Sequence, residues 1–273
     1  MPTISLYFVR HGQRIDQVDA SWVDTSPFPQ DPPLTDLGKQ QARLTGKMIK
    51  NLTHENLSLS CSLDEAATIM SKDKDLQHCT LQRITPPVTP DFGRCHLQSH
   101  QNKLDAVVSP NKRLHHFAIV TSPFLRCSQT AIEIAIGMKM ATADSETTAT
   151  TGPQQVPPIM IDTAEICDEK WLSLEYVSEP VSDSIIVQRM QDFAKARRNH
   201  EKYYSIDWKY IAKDRQLPTW PETREDMQAR QERALDHILE VYTRVVAKDK
   251  DRDLSIVFVT HASPVNGKGF FTY

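Results

Sequence analysis

Five consecutive residues near the N-terminus, Arg10-His11-Gly12-Gln13-Arg14, place two guanidiniums and an imidazole directly behind an apolar run, Ile4 to Val9. Two further apolar runs end in a similar way. Phe117 to Val120 stops at Thr121-Ser122, with Arg126 soon after, and Leu254 to Val259 stops at Thr260-His261. Guanidinium forks keep their protons and match tetrahedral oxyanions. Arg10, Arg14 and Arg126 gathered with His11 and His261 would repel one another unless an anion filled the space between them, so the set reads as a phosphate site. A neutral imidazole is also a nucleophile. Attack by His11 on phosphorus would give a phosphohistidine, with the arginines stabilising charge on the equatorial oxygens. A carboxylic acid would then have to protonate the leaving oxygen and later deprotonate a water.

Such a set needs a scaffold that brings three distant segments together. The three apolar runs are short, rich in β-branched or aromatic residues and nearly continuous, as strands buried on both faces are. Amphipathic helical patterns lie between them. After the first run, "PLTDLGKQQARLTGKMIKNL" can start at a Thr35 or Asp36 cap and carries Ala42, Leu44, Thr45, Met48, Ile49 and Leu52 on one broad face. "SPFLRCSQTAIEIAIGM" gives a second helix with a stripe of Ala131, Ile132, Ala135 and Ile136. "PETREDMQARQERALDHILEVYTRVV" gives a third, with Pro221 in its first turn and Met227, Ala234, Ile238, Tyr242 and Val245 at helical spacing. The alternation predicts an α/β fold: a mostly parallel sheet between helical layers, with all three polar strand ends at one carboxyl edge, where ligands bind in such sheets.

The 273 residues suit a single domain over 1–273 with insertions. Residues 53–113 are polar, with weak periodicity, and are expected to be partly disordered; 142–157 is of low complexity; 170–220 mixes aromatic and charged residues and could cover the crevice as a cap or simply pack at the periphery. A net charge of −3 argues against direct nucleic-acid binding. The five cysteines show no CxxC spacing, and no signal peptide or membrane-length segment is evident, which sets the expectation of a cytoplasmic protein, with the nucleus open, that does not engage membranes. Adjacent residues on a strand point to opposite faces, so His115-His116 is not read as a metal pair.

The blocks "VRHGQR", "PLTDLGKQQA", "TSPFLRCSQTA", "TAEICDEKW" and "VTHAS" occur in that order between Leu6 and Ser263. Together they resemble the histidine phosphatase (phosphoglycerate mutase-like) superfamily. The arginine two positions after the glycine of RHG, and the "SPFLRCSQTA" segment, look most like its Sts-type protein tyrosine phosphatases and their fungal or protist relatives. The resemblance implies a three-layer αβα sandwich. It implies His11 as nucleophile, with Arg10, Arg14, Arg126 and His261 holding the phosphoryl group. Glu165 would be the proton donor, and Asp168 and Glu169 are close enough in sequence to take that role instead. No metal and no cofactor are implied.

The implied activity is metal-independent phosphomonoester hydrolysis, on phosphotyrosine, other aryl phosphates or small phosphorylated metabolites. Gln13-Arg14-Ile15-Asp16 replaces the Glu-Ser that follows RHG in the mutases, which places hydrolysis ahead of phosphoglycerate mutase-type transfer. Some superfamily members are assembly subunits, so a catalytically weak scaffold is the alternative, and a homodimer is compatible with either. Relatives continue past the second histidine into another helix, whereas here "HASPVN" gives way to "GKGFFTY"; the sequence therefore sets the expectation of a C-terminally incomplete domain with weakened activity.

Overall fold

The computed structural model describes residues 4–55, 81–84, 114–144, 157–161, 187–189, 191–193, 195–196, 202–207, 223–247 and 252–261. Glu165, Asp168 and Glu169, most of the three insertions, and the segment after His261 lie outside the described residues.

The three apolar runs become β1 (Ile4–Arg10), β3 (Leu114–Thr121) and β6 (Arg252–Thr260). They join β2 (Leu81–Ile84), β4 (Pro158–Ile161) and the short β5 (Ser205–Ile206) in one sheet of order β2-β1-β6-β3-β4-β5. Four of the pairings are parallel; β2 alone runs antiparallel, against β1. The polar tract 53–113 therefore supplies an edge strand that its composition did not announce. Four residues without a clean alternation are too short a signal to separate from loop.

Period-two alternation sends each strand's side chains to two cores. Tyr7, Val9, Ile119, Ile159, Val257 and Val259 pack on one face with Ala42, Ile49, Ala131 and Ile134; Ile4, Leu6, Phe8, Val120, Ile256 and Phe258 pack on the other with Leu235 and Ile238. The helices behind these residues are α2 (Asp36–Glu55), α3 (Leu125–Asp144) and α4 (Arg224–Ala247), preceded by the single turn α1 (Trp22–Thr25). Right-handed crossovers explain the sides. Apart from the detour to β2 on the far edge, the chain moves in one direction across the sheet from β1 to β3 to β4 to β5, so α2, α3 and the helical residue Phe193 share a face. It then returns to the central position of β6, and α4 lies on the opposite face. Each buried side chain of this size contributes about 1.5–3 kcal/mol relative to exposure. Phe8 and Phe258, opposite each other in the β1–β6 register, stack with centroids 4.9 Å apart.

Helices α2 and α3 touch backbone to backbone. A Cβ on Gly46 would stand 2.2 Å from the carbonyl oxygen of Ile134, and one on Gly137 would stand 2.1 Å from that of Arg43. The contact is closed at its edge by a two-pronged ion pair of Arg43 with Glu133. Three details differ from the sequence reading. Leu44 is 52% exposed, because the close α2–α3 approach turns the buried face towards Gln41, Thr45 and Gly46 rather than towards Leu44. Helix α3 is buried on nearly every side rather than along one stripe. Helix α4 begins at Arg224, beyond Pro221, with Thr223 as its cap: the Thr223 hydroxyl accepts from Asp226 N at 3.1 Å.

Candidate active site

The registers bring the polar strand ends to one edge. Arg10 pairs with Thr260, Val259 with Thr121, and Thr121 with Ile161, so His11, Ser122 and His261 all leave the sheet at its carboxyl end around the central strand. His11 N donates to Thr260 O at 3.1 Å, and Ser122 N to Val259 O at 3.1 Å. The structure thus gathers His11, His261, Arg10, Arg14 and Arg126. The candidate acid Glu165 falls four residues beyond the end of β4 in sequence and is not among the described residues.

The Arg-His-Gly turn is held from two sides. Gly12 meets the first turn of α2 so closely that a Cβ would lie 2.4 Å from Gly38 O. Gly12 N donates to the Thr130 hydroxyl at 3.2 Å, and that hydroxyl donates to Arg126 O at 2.7 Å. Gln13 N donates to Gln41 Oε1 at 3.0 Å. The Thr35 hydroxyl caps α2 by accepting from Gly38 N at 2.9 Å and donates to Gln13 Oε1 at 2.8 Å.

The two histidines are in opposite tautomers. His11 Nδ1 is 2.9 Å from Gly12 O, and a carbonyl only accepts, so Nδ1 carries the proton and Nε2 keeps its lone pair. Arg126 Nη2 is 3.3 Å from His261 Nδ1, and a guanidinium only donates, so the proton of His261 sits on Nε2, which donates to Ser122 Oγ at 3.0 Å. Both rings are 4% exposed. Burial, then the Arg126 charge, holds both well below the ordinary histidine range, so both are neutral near pH 7. The rings lie with centroids 5.7 Å apart, and Phe124 stands edge-on to His261 at 5.3 Å.

Carboxylates stand beside two of the three arginines, Arg14 and Arg126. Arg14 holds Asp16 through Nε at 3.0 Å and Nη2 at 2.9 Å. Arg126 is 1% exposed, with its guanidinium carbon 4.4 Å above the Phe124 ring, Nη1 3.4 Å from Gln30 O and 4.0 Å from Asp31 Oδ1. Asp31 accepts from Leu125 N at 2.7 Å and from Arg189 Nη2 at 2.8 Å, and Arg189 also holds Asp192. Asp16, Asp31, Thr130 and Arg189 escaped the sequence reading. Thr130 lies inside the "SPFLRCSQTA" block, which was a usable signal. Asp31 and Arg189 are 158 residues apart, and no local pattern joins them.

What the described residues can do is bind an oxyanion and present a neutral, oriented nucleophile beside it. Among them, no group of three or more His, Cys, Asp or Glu side chains is arranged to hold a metal ion.

No family model matches the chain, and no curated protein matches it. Among solved structures it is similar to the ecdysone phosphate phosphatase from Bombix mori in complex with tungstate, with a TM-score of 0.45 and 15% identity over 95% of this chain and 73% of that one. A likeness at that score and identity says nothing about chemistry, which has to come from the side chains themselves.

Proposed function

We propose that this chain is a phosphomonoester hydrolase of the histidine phosphatase type that works through a phosphohistidine at His11. The observation that carries the reading is the state of His11: neutral, its Nδ1 proton fixed on Gly12 O, its Nε2 lone pair left out of that bond, and its ring in the field of Arg126, Arg14 and Arg10. Nε2 attacks phosphorus, the P–O ester bond breaks, and its electron pair leaves on the ester oxygen. That oxygen takes a proton from a carboxylic acid, for which Glu165 is the first candidate and Asp168 or Glu169 the next. The ring, still protonated on Nδ1, then carries positive charge, which the Gly12 carbonyl dipole stabilises. Water attacks phosphorus with its proton passing to the acid, and the P–N electron pair returns to Nε2. The arginines balance the phosphoryl charge throughout, and His261, its N–H held by Ser122 Oγ, accepts from Arg126 at the same edge. Aryl phosphates, phosphotyrosine included, are the substrate class to test first, and small phosphorylated metabolites the second. The setting we propose is cytoplasmic; among the described residues no helix is long and apolar enough to cross a membrane.

The test is hydrolysis of p-nitrophenyl phosphate by the full chain with EDTA present. Turnover is expected to persist in EDTA and to vanish in His11→Ala, and rapid quenching should trap an acid-labile, base-stable phosphoprotein. Undiminished turnover by His11→Ala would refute the mechanism. A wild-type chain that binds inorganic phosphate without turnover would point instead to a scaffold that retains the pocket.

A further inference from the structure

The buried cluster behind the pocket has no part in the chemistry above, yet it touches the turn and the helix start that hold one end of the Arg126 fork. Asp31 is 5% exposed and uses both carboxylate oxygens. Oδ1 accepts from Leu125 N, the first residue of α3, at 2.7 Å and faces Arg126 Nη1 at 4.0 Å; Oδ2 accepts from Arg189 Nη2 at 2.8 Å. Its own N–H closes a turn on Phe28 O at 3.0 Å. The neighbouring carbonyl in that turn, Gln30 O, takes the Arg126 Nη1 proton at 3.4 Å. One short turn therefore grips Arg126 twice, by a carbonyl and by a charge. The other end of the Arg126 fork reaches His261.

We infer that Asp31 is a positioning residue for the phosphate pocket, holding Arg126 and the first turn of α3 in place, and that Arg189 is the partner that keeps Asp31 aimed. This rests on the reading of Arg126 as a phosphate ligand. Stability alone is a poor reason for such a cluster, since replacing a buried ion pair by apolar residues is often neutral or stabilising. Geometry supplies the better reason. Without an anion bound, Arg126 needs a nearby negative charge to keep it in the pocket, and that charge must sit to one side so that it does not occupy the anion's place. At 4.0 Å, sharing its oxygens with Leu125 N and Arg189, Asp31 meets both requirements. Burial pushes the Asp31 carboxyl upward, and the Arg189 guanidinium, 2.8 Å from Oδ2, is the largest influence opposing it. Arg189 belongs to the 170–220 insertion, so the cluster also links that insertion to the pocket.

The test compares wild type, Asp31→Asn and Asp31→Asn/Arg189→Met in the full chain. Inorganic phosphate binding is followed by calorimetry and unfolding by circular dichroism. Asp31→Asn takes the buried one of two carboxylates from Arg189 and leaves it only Asp192 on the solvent side, so it should lower Tm and weaken phosphate binding about ten-fold or more. The double variant removes this half-compensated charge and leaves Asp192 to solvent. It should recover most of the lost Tm while phosphate binding stays weak, a split that a purely structural pair would not give. Wild-type phosphate affinity in either variant overturns the inference. If Asp31→Asn does not fold, the double variant carries the decision alone. A wild-type chain that binds phosphate but does not hydrolyse esters refutes the proposed activity and leaves Asp31 to be judged by binding. A wild-type chain that binds no phosphate overturns both.

Discussion

Replacing Thr130 by Val should separate the role of the α3 hydroxyl from that of its bulk. Valine keeps the shape and loses the oxygen that accepts from Gly12 N at 3.2 Å and donates to Arg126 O at 2.7 Å. Arg126 O, inside a helix, keeps a backbone partner. Gly12 N–H, which is buried, does not. An unsatisfied buried donor costs about 1–3 kcal/mol. At roughly 2–4 °C per kcal/mol for a domain of this size, Tm should fall by about 2–12 °C. Catalysis should fall as well, because the Gly12 peptide also orients His11 through the 2.9 Å Nδ1 contact. A displacement of the nucleophile near 1 Å costs on the order of 100-fold. Thr130→Ser keeps the oxygen and loses one methyl, for about 1 kcal/mol, so its turnover should stay within about three-fold of wild type. Thermal unfolding and p-nitrophenyl phosphate turnover read both effects. Valine and serine variants that match each other, or a valine variant within about 0.5 kcal/mol of wild type, would refute the reasoning.

Alanine at an exposed helical glycine usually gains about 1 kcal/mol. Gly46→Ala should do the reverse and lower Tm sharply, since its Cβ would meet Ile134 O at 2.2 Å and force α2 from α3; an unchanged or raised Tm would contradict the packing. On the same helix, Leu44→Gln should stay within about 0.5 kcal/mol of wild type, while Ile49→Ala should cost about 2–5 kcal/mol in chemical denaturation. His11 and His261 are both depressed below their ordinary value of 6.5. Below pH 6.5 the unfolded chain therefore takes up protons that the folded one refuses. Stability should fall as pH drops, by up to about 1.4 kcal/mol per unit per histidine, and level off above about pH 7. Relative to wild type, His11→Asn/His261→Asn should lose that part of the slope in denaturant titrations between pH 5 and about 7; equal slopes would show that the two rings are not held neutral.

The central strands, and the residues that stand at their ends, are readable from the sequence alone. Ile4–Val9, Phe117–Val120 and Leu254–Val259 read as buried strands because both faces are apolar, and they are adjacent in the sheet. Arg10, His11, Arg14, Arg126 and His261 were legible because each follows such a run, and the parallel register carries those ends to one edge. Tertiary structure alone decided which tautomer each histidine adopts, since that depends on whether its nearest partner is a carbonyl or a guanidinium. It also decided which side of α2 is buried: the helix has apolar residues beyond one stripe, and backbone contact at Gly46 and Gly137 selects among them. The counter-charges Asp31 and Arg189 belong to the same class. A buried ion pair depends on distance in space, and their separation along the chain leaves no periodicity or spacing from which it could be read.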